Sequence, residues 1–213
     1  AQISPLLAAA VVEAEDSRFR EHGGVNWKTT RKAARRYAAG QTAGGGSTIS
    51  QQLARNLFFD ASRTVDRKLR EILLALRMDG ELSKDRLLEL YLNVAEWGDG
   101  VWGITAAAQH YFQKSPRELD AFESAFLGSL LPAPRAPVVG DNRSRVILVQ
   151  RRLLSALVTD QLVGPDAWSE ARRRQCALEI ELLSGRALPE ALDRVGHLTF
   201  APAVPGLPVA ATP

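Results

Sequence analysis

Helical periodicity runs through almost the whole chain of 213 residues. Apolar residues recur at helical spacing, and the segments between them carry residues that start and stop helices. No segment shows the clear alternation that would indicate a strand, so the chain is predicted to be mainly α. The predicted helices span about residues 4–19, 27–39, 48–59, 62–80, 84–94, 104–112, 119–131, 143–158 and 165–183.

Composition excludes several classes of protein. An apolar fraction of 46% with 24% charged residues describes an ordinary globular chain. The single cysteine excludes an intramolecular disulfide and a Cys-based metal cage, and it leaves the cellular compartment open. Most of the 27 basic residues are Arg, which suits bidentate binding of phosphate, although a GC-rich genome produces the same bias. No segment reaches the roughly 18 uninterrupted apolar residues of a membrane span.

The first candidate residues are Glu15 and Asp16, at the end of an apolar helix and just before a His22-Gly-Gly break. Adjacent helical positions point about 100° apart, so only one carboxylate can face a given cleft. A neighbouring acid and apolar surroundings raise the pKa of a carboxyl group, which suits a general base near neutral pH. For this pair alone, a solvated helix end is the better interpretation.

The second group lies where a glycine-rich loop leads into a helix, and it comprises Ser47, Thr48, Gln51, Gln52 and Arg55. Free backbone N–H groups at a helix start favour a bound anion. Thr48 and Gln51 also fit a capping box. A cap does not account for the two consecutive Gln or for the Arg one turn later, so we interpret the group as substrate-binding.

The third group is a cationic stripe that ends in a carboxylate. Arg63, Arg67 and Glu71 are spaced by four residues, which places them on one helix face, with Lys68 beside them. Taken alone, the stripe fits an ordinary surface ion pair worth about 0.3–0.5 kcal/mol.

Together and in this order, the motifs resemble those of glycosyltransferase family 51. The similar runs are EDSRFREHGGVNW, GGSTISQQLARNLF, RKLRE, KDRLLELYLN and GDGVWGITAAAQHYF. Within that family, the run YLNVAEWGDGVWG is more similar to the monofunctional biosynthetic peptidoglycan transglycosylases than to class A penicillin-binding proteins. The similarity extends from about residue 3 to about residue 157.

The resemblance implies a lysozyme-like helical lobe with a smaller, membrane-facing jaw lobe at about residues 24–46. We expect the glycosyltransferase domain to span residues 1–187. The Pro- and Ala-rich tail, 188–213, is expected to be poorly ordered. The family's N-terminal membrane helix is missing from this chain, and its usual Lys is replaced by Arg55.

The implied reaction is inverting polymerisation of lipid II into β-1,4-linked glycan, with release of undecaprenyl pyrophosphate. Glu15 matches the catalytic base, Glu71 matches a second carboxylate near the pyrophosphate, and Asp16 and His22 match supporting positions. The substrate-binding set would be Ser47, Thr48, Gln51, Gln52, Arg55, Arg63, Arg67 and Lys68. A divalent cation, Mg²⁺ or Mn²⁺, is expected at the pyrophosphate, with Glu71 as the candidate ligand, and no organic cofactor is expected.

The resemblance also implies partners and a location. The partners would be lipid II, the growing glycan strand, the membrane surface and other cell-wall synthases, with no nucleic acid. The location would be the periplasmic face of the bacterial inner membrane, and the family inhibitor moenomycin is expected to act. Membrane contact is suggested by aromatic residues beside the polar motifs, namely Trp27, Phe58, Phe59, Trp97 and Trp102.

Two other functions compete with this interpretation. A lysozyme-like hydrolase or lytic transglycosylase would share the helical fold and the glutamate, but its neutral leaving group does not require a cationic stripe. A non-catalytic binder of nucleic acid or acidic lipid would use the Arg-rich helices, but no aromatic stacking platform accompanies them.

Overall fold

The computed structural model describes residues 2–41, 46–60 and 64–196, and these form a mainly helical protein, as predicted. The helices are α1 (Pro5–Glu15), α2 (Trp27–Ala38), α3 (Ile49–Phe58), α4 (Val65–Glu81), α5 (Lys84–Val94), α6 (Ile104–Phe112), α7 (Ala121–Leu130), α8 (Gly140–Thr159), α9 (Pro165–Leu183) and α10 (Leu188–Gly196). The strands β1 (Glu96–Gly98) and β2 (Val101–Trp102) lie between α5 and α6.

The core is built around α7, all of whose residues are buried. Its main neighbours are α1 and α8. At the start of both helices, the Ser4 hydroxyl donates to the carbonyl of Leu119. Further along both helices, Gly128 lies so close to α1 that a Cβ placed on it would be 3.4 Å from the carbonyl oxygen of Ala10. Helices α1 and α7 therefore run in parallel, and their C-terminal ends lie at the same end of the molecule.

Helix α1 is shorter than predicted. It ends at Glu15 because Asp16 leaves the helical conformation, with φ −161°. Its carboxylate instead binds His22 and the backbone N–H of Ile49. The sequence placed the end of the helix near Phe19, since the apolar pattern continues to that residue.

The prediction that the chain has no strand was wrong at one place. Strands β1 and β2 form an antiparallel hairpin that pairs Glu96 with Trp102 and Gly98 with Val101. Gly103 has φ +78°, and a Cβ there would lie 2.6 Å from the carbonyl oxygen of Asn93. The strands are too short for their alternation to show in the sequence.

The prediction of poor order from residue 188 onwards was wrong for residues 188–196, which form α10. Ala191, Leu192 and Val195 of this helix are buried, and α10 packs mainly on α9. Spacing of three and four residues places these side chains on one face, which stabilises the helix despite the Pro- and Ala-rich composition. The rest of the predicted tail lies outside the described residues.

Helices α2 and α4 are the least buried. No residue of α2 is buried, and its exposed face carries Lys28, Arg31, Lys32, Arg35 and Arg36. In α4 only Glu71 and Ala75 are buried. The predicted apolar stripe of α4 includes Leu69, Leu73 and Leu76, and these three side chains are exposed. Within the described residues, no helix is long and apolar enough to cross a membrane.

Candidate active site

Glu15 ends α1 at the edge of a cleft of about 270 Å³. One of its carboxylate oxygens accepts a hydrogen bond of 2.6 Å from Nε2 of Gln52. Burial raises the pKa of the Glu15 carboxyl group, and the nearby charge of Asp16 adds a smaller rise. The Gln52 hydrogen bond and the charges of Arg55 and Arg145 oppose this rise. The expected direction of the pKa shift is therefore confirmed, with burial as its main cause.

Gln52 is held by a second hydrogen bond behind the carboxylate. The hydroxyl of Tyr91, on α5, donates to Oε1 of Gln52 at 3.3 Å. Tyr91 is buried, and burial together with the charge of Glu15 raises its pKa well above the ordinary value. Tyr91 therefore stays protonated and donates, which orients the amide so that its NH₂ group faces Glu15.

Asp16 has hydrogen-bond partners different from that of Glu15, and it joins three parts of the site. Its two oxygens lie 2.9 and 3.0 Å from Nε2 of His22. One of them also accepts from the backbone N–H of Ile49, the first residue of α3, at 3.2 Å. A carboxylate at this position interacts favourably with the N-terminal end of the helix dipole. Asp16 therefore fixes the turn that follows Glu15 against the start of α3.

The capping box predicted at the start of α3 is confirmed. The hydroxyl of Thr48 accepts from the N–H of Gln51, and the Gln51 side chain accepts from the N–H of Thr48. The Thr48 hydroxyl also donates to the carbonyl of Gly24 at 2.6 Å. Both side chains are buried, and among the described residues Nε2 of Gln51 has no hydrogen-bond partner. Direct substrate binding by Thr48 and Gln51 stays a prediction, while the hydrogen bonds of the two side chains fix the cleft wall.

Glu71 is buried beneath two cations of its own helix, with only 1% of its side chain exposed. Nη1 of Arg67 donates to one Glu71 oxygen at 2.8 Å, and Nζ of Lys68 contacts the other. The same Nζ donates to Oγ of Ser47 at 3.0 Å. The acid and its two cations thus reach the cleft through Ser47, which lines it.

This arrangement bears on the expected metal. Both Glu71 oxygens are engaged by cations, which would repel a divalent ion at the same place. Within the parts of the chain that the structure describes, no group of three His, Cys, Asp or Glu side chains could hold a metal ion. The residues around Glu71 therefore do not fit direct coordination of Mg²⁺ or Mn²⁺.

The structure brings together most of the predicted site residues. Glu15, Asp16, Ser47 and Thr48 line one cleft, with Gln52 in contact with Glu15 and Arg55 within electrostatic reach of it. Arg67, Lys68 and Glu71 join this group through Ser47. Arg63 lies outside the described residues.

Two neighbours of Glu15 were missed by the sequence interpretation. Tyr91 belongs to an apolar helical pattern, which gave no signal of its hydrogen bond to Gln52. Arg145, on α8, donates to the carbonyl of Ser129 and to Oδ1 of Asn142, each at 2.8 Å. Its charge acts on Glu15, and burial lowers its own pKa. The chain is rich in Arg, and nothing in the sequence distinguishes Arg145 from the other arginines.

Comparison with known proteins identifies the family. Residues 1–157 match the family model described as Transglycosylase. Three proteins named biosynthetic peptidoglycan transglycosylase are similar to this chain. The protein from Alcanivorax borkumensis is 48% identical over 62% of this chain and 55% of its own length. The Bordetella pertussis protein is 50% identical over 63% of this chain and 57% of its own length. The Nitrosomonas eutropha protein is 44% identical over 76% of this chain and 66% of its own length.

The matched region thus spans between about half and two thirds of these relatives. The family model covers most of the chain, from α1 into α8, and includes every residue described above around Glu15. The chain therefore belongs to the transglycosylase family.

Proposed function

We propose that the chain polymerises lipid II into β-1,4-linked glycan by inverting glycosyl transfer. The observation that carries the proposal is the environment of Glu15. Its pKa is raised by burial, its position is fixed by Gln52, and the positive charges of Arg55 and Arg145 act on it. That combination supports a base that acts opposite an anionic leaving group.

In the proposed step, Glu15 accepts the proton of the acceptor 4-hydroxyl group. The acceptor oxygen forms a bond to C1 of the donor as the bond from C1 to the phosphate oxygen breaks. Undecaprenyl pyrophosphate leaves with the bonding electron pair, so the anomeric centre is inverted. The Tyr91–Gln52–Glu15 hydrogen bonds hold the carboxylate in place for this transfer.

The leaving pyrophosphate requires positive charge rather than a proton. We assign this role to Arg55 and Lys68, with Arg67 behind Lys68 and with Arg63 as an untested member of the set. Glu71, being buried, acts in this proposal by orienting Arg67 and Lys68 and does not contact the substrate. A divalent cation at the pyrophosphate stays a prediction, and no step of the proposal depends on it.

Contact with the membrane surface is part of the proposal, since lipid II is held there by its lipid. Four apolar side chains of α4 are exposed, namely Val65, Leu69, Leu73 and Leu76. Leu57 and Phe58, at the end of α3, and Trp27, at the start of α2, are exposed as well. We call the four α4 residues the α4 ridge. Trp97, by contrast, is fully buried and belongs to the core.

The proposed activity implies a location in the cell envelope, where peptidoglycan is made. The periplasmic face of the inner membrane is the specific place that we propose. Lipid II and the growing strand are the proposed substrates, while contact with other cell-wall synthases and the lack of nucleic-acid binding stay predictions.

Gel-resolved polymer formation from lipid II tests the function. We expect the wild-type protein to form polymer that moenomycin blocks, and we expect Glu15→Gln to form none while it folds normally. Glu21→Gln is the matched control, because Glu21 is exposed and forms a surface ion pair with Arg18. Release of soluble fragments from purified sacculi, without polymer formation, would instead support the lytic alternative.

A further inference from the structure

Trp102 stands exposed on a rigid support. It ends β2, its backbone pairs with Glu96, and 52% of the residue is accessible to solvent. Gly103, the next residue, donates to the carbonyl of Ala95 at 2.9 Å, and its close approach to Asn93 leaves no room for a side chain. The backbone that carries the indole is therefore held in place, while the residue itself is half exposed.

A charged pair borders this indole. Nε of Arg135 donates to both oxygens of Glu96, at 2.9 and 2.8 Å. The Arg135 guanidinium group lies 6.0 Å from the centre of the Trp102 ring. The backbone N–H of Gly100 also approaches Glu96, at 3.3 Å. One exposed aromatic surface thus has a fixed hydrogen-bond donor and a fixed acceptor at its border.

The surface lies at the same end of the molecule as Glu15. Arg135 follows the C-terminal end of α7, which runs parallel to α1. Arg145, whose charge acts on Glu15, binds Asn142, and Asn142 in turn donates to the carbonyls of Ala136 and Pro137, next to Arg135. A continuous set of contacts therefore connects Glu15 with the Trp102 surface.

A second connection runs through α5. Tyr91, which orients Gln52 toward Glu15, lies one helical turn before the hairpin, and a turn rises about 5.4 Å. Lys68 and Glu71 instead lie on α4, and Lys68 contacts Ser47, which precedes α3. The Trp102 surface therefore lies on a different set of elements from the cations assigned to the pyrophosphate.

We propose that Trp102, Arg135 and Glu96 form a subsite for a pyranose ring of the glycan polymer, beyond the sugars that react. The C–H face of a pyranose ring is apolar and packs on the electron-rich face of an indole, while its hydroxyl groups require donors and acceptors at the ring border. The polymeric occupant rests on the proposed function, because only an extended product reaches past Glu15.

Charge distinguishes this surface from a membrane contact. Arg135 balances the charge of Glu96, so the net charge of the surface comes from Asp99 at the tip of the same hairpin, which an anionic bilayer would repel. The α4 ridge, by contrast, groups four exposed apolar side chains on one helix. A polar carbohydrate fits the hairpin surface better than a lipid does.

Saccharide binding tests the subsite without requiring turnover. The probe is a soluble tetrasaccharide of alternating GlcNAc and MurNAc, titrated by calorimetry or by NMR. We expect Trp102→Ala to weaken binding by about fivefold to tenfold, with Trp102→Phe between that variant and the wild type. Trp168→Ala is the matched control, because Trp168 also lies beside a guanidinium group, that of Arg172 at 5.5 Å, but on α9.

Product length is the second measurement. With lipid II as substrate, we expect Trp102→Ala to release shorter strands than the wild type and the Trp168 control. Unchanged tetrasaccharide affinity in Trp102→Ala, an equal loss in Trp168→Ala, or no wild-type binding at millimolar tetrasaccharide would overturn the subsite. A wild-type protein that binds the tetrasaccharide but makes no polymer would contradict the proposed function and leave the subsite standing.

Discussion

Helices α7 and α4 use their side chains in opposite ways. Every residue of α7 is buried, including Glu123, Ser124 and Ser129. In α4, which is nearly twice as long, only Glu71 and Ala75 are buried, and Leu69, Leu73 and Leu76 face solvent. The first helix is a core element, and the second presents an apolar surface outward while it buries a charged group. Helical spacing therefore reveals a helix but does not reveal which of its faces the fold covers.

The two helices also position the site differently. The C-terminal end of α7 offers the Ser129 carbonyl that holds Arg145 near Glu15. The buried face of α4 offers Glu71, which holds Arg67 and Lys68. Helix α7 thus both stabilises the core and positions a residue of the site. Helix α4 also positions residues of the site, but its apolar ridge is exposed.

The largest expected effect is on α7. Phe126 is fully buried, and its ring packs against Tyr111 and Phe112, with ring centres 5.7 and 5.8 Å apart. We expect Phe126→Ala to lower the free energy of unfolding by about 3–5 kcal/mol in denaturant titrations. Phe58→Ala, at an exposed position of α3, should change it by no more than about 0.5 kcal/mol. Equal losses of unfolding free energy in the two variants would contradict the distinction between buried and exposed helix faces.

The next effect concerns the buried acid of α4. Glu71→Gln removes the charge that holds Arg67 and Lys68, and we expect a loss of about 1–3 kcal/mol in unfolding free energy together with slower polymerisation. Glu81→Gln is the control on the same helix, since Glu81 is exposed and pairs with Arg77.

The same variant tests the metal prediction. Because Glu71 is already occupied by two cations, we expect Glu71→Gln to keep the Mg²⁺ dependence of the wild-type rate. The measurement is the rate over a range of Mg²⁺ concentrations after chelation with EDTA. An altered Mg²⁺ dependence in this variant, but not in Glu81→Gln, would show that Glu71 contacts the ion.

The α4 ridge should affect membrane affinity rather than folding. Burial of a leucine side chain is worth about 1.5–3 kcal/mol, so we expect Leu69→Ser and Leu73→Ser each to weaken vesicle flotation by roughly tenfold. Their unfolding free energies should stay within about 0.5 kcal/mol of the wild type. Leu148→Ser, at a similarly exposed position of α8, is the control. An equal loss of flotation in that variant would contradict a specific contact through α4.

The smallest effect is a shift in pH dependence. Arg145 lowers the pKa of Glu15, so its removal in Arg145→Gln should raise that pKa further. The proposed base must be deprotonated, and the acidic limb of the kcat/KM profile should therefore move to higher pH. Arg145→Lys keeps the charge and should restore most of the wild-type profile. A limb that moves equally in both variants would assign Arg145 a packing role only.

The sequence predicted the elements well where their signals are local. The Thr48–Gln51 cap and the regular apolar spacing predicted nine of the observed helices, because each signal depends on neighbours within one or two turns. It could not predict the exposure of Leu73 or the burial of Glu71, since both depend on what packs against α4. In the site, adjacency predicted that only one of Glu15 and Asp16 faces the cleft, whereas both line it because Asp16 leaves the helix. The contributions of Tyr91 and Arg145 come from other helices and carry no local signal.

The turn after Glu15 has a consequence for how the protein loses activity. Gln52 and Ile49, which hold Glu15 and Asp16, lie 37 and 33 positions further along the chain, and Lys84, which donates to the His22 carbonyl, lies 62 positions away. We expect these contacts, which lie at the edge of the cleft and each close a loop at an entropic cost, to open before the local hydrogen bonds of the helices do. On gentle heating, catalysis should therefore disappear while the helical circular dichroism signal still persists. Activity would then depend on local order around Glu15, which is lost before the helices unfold.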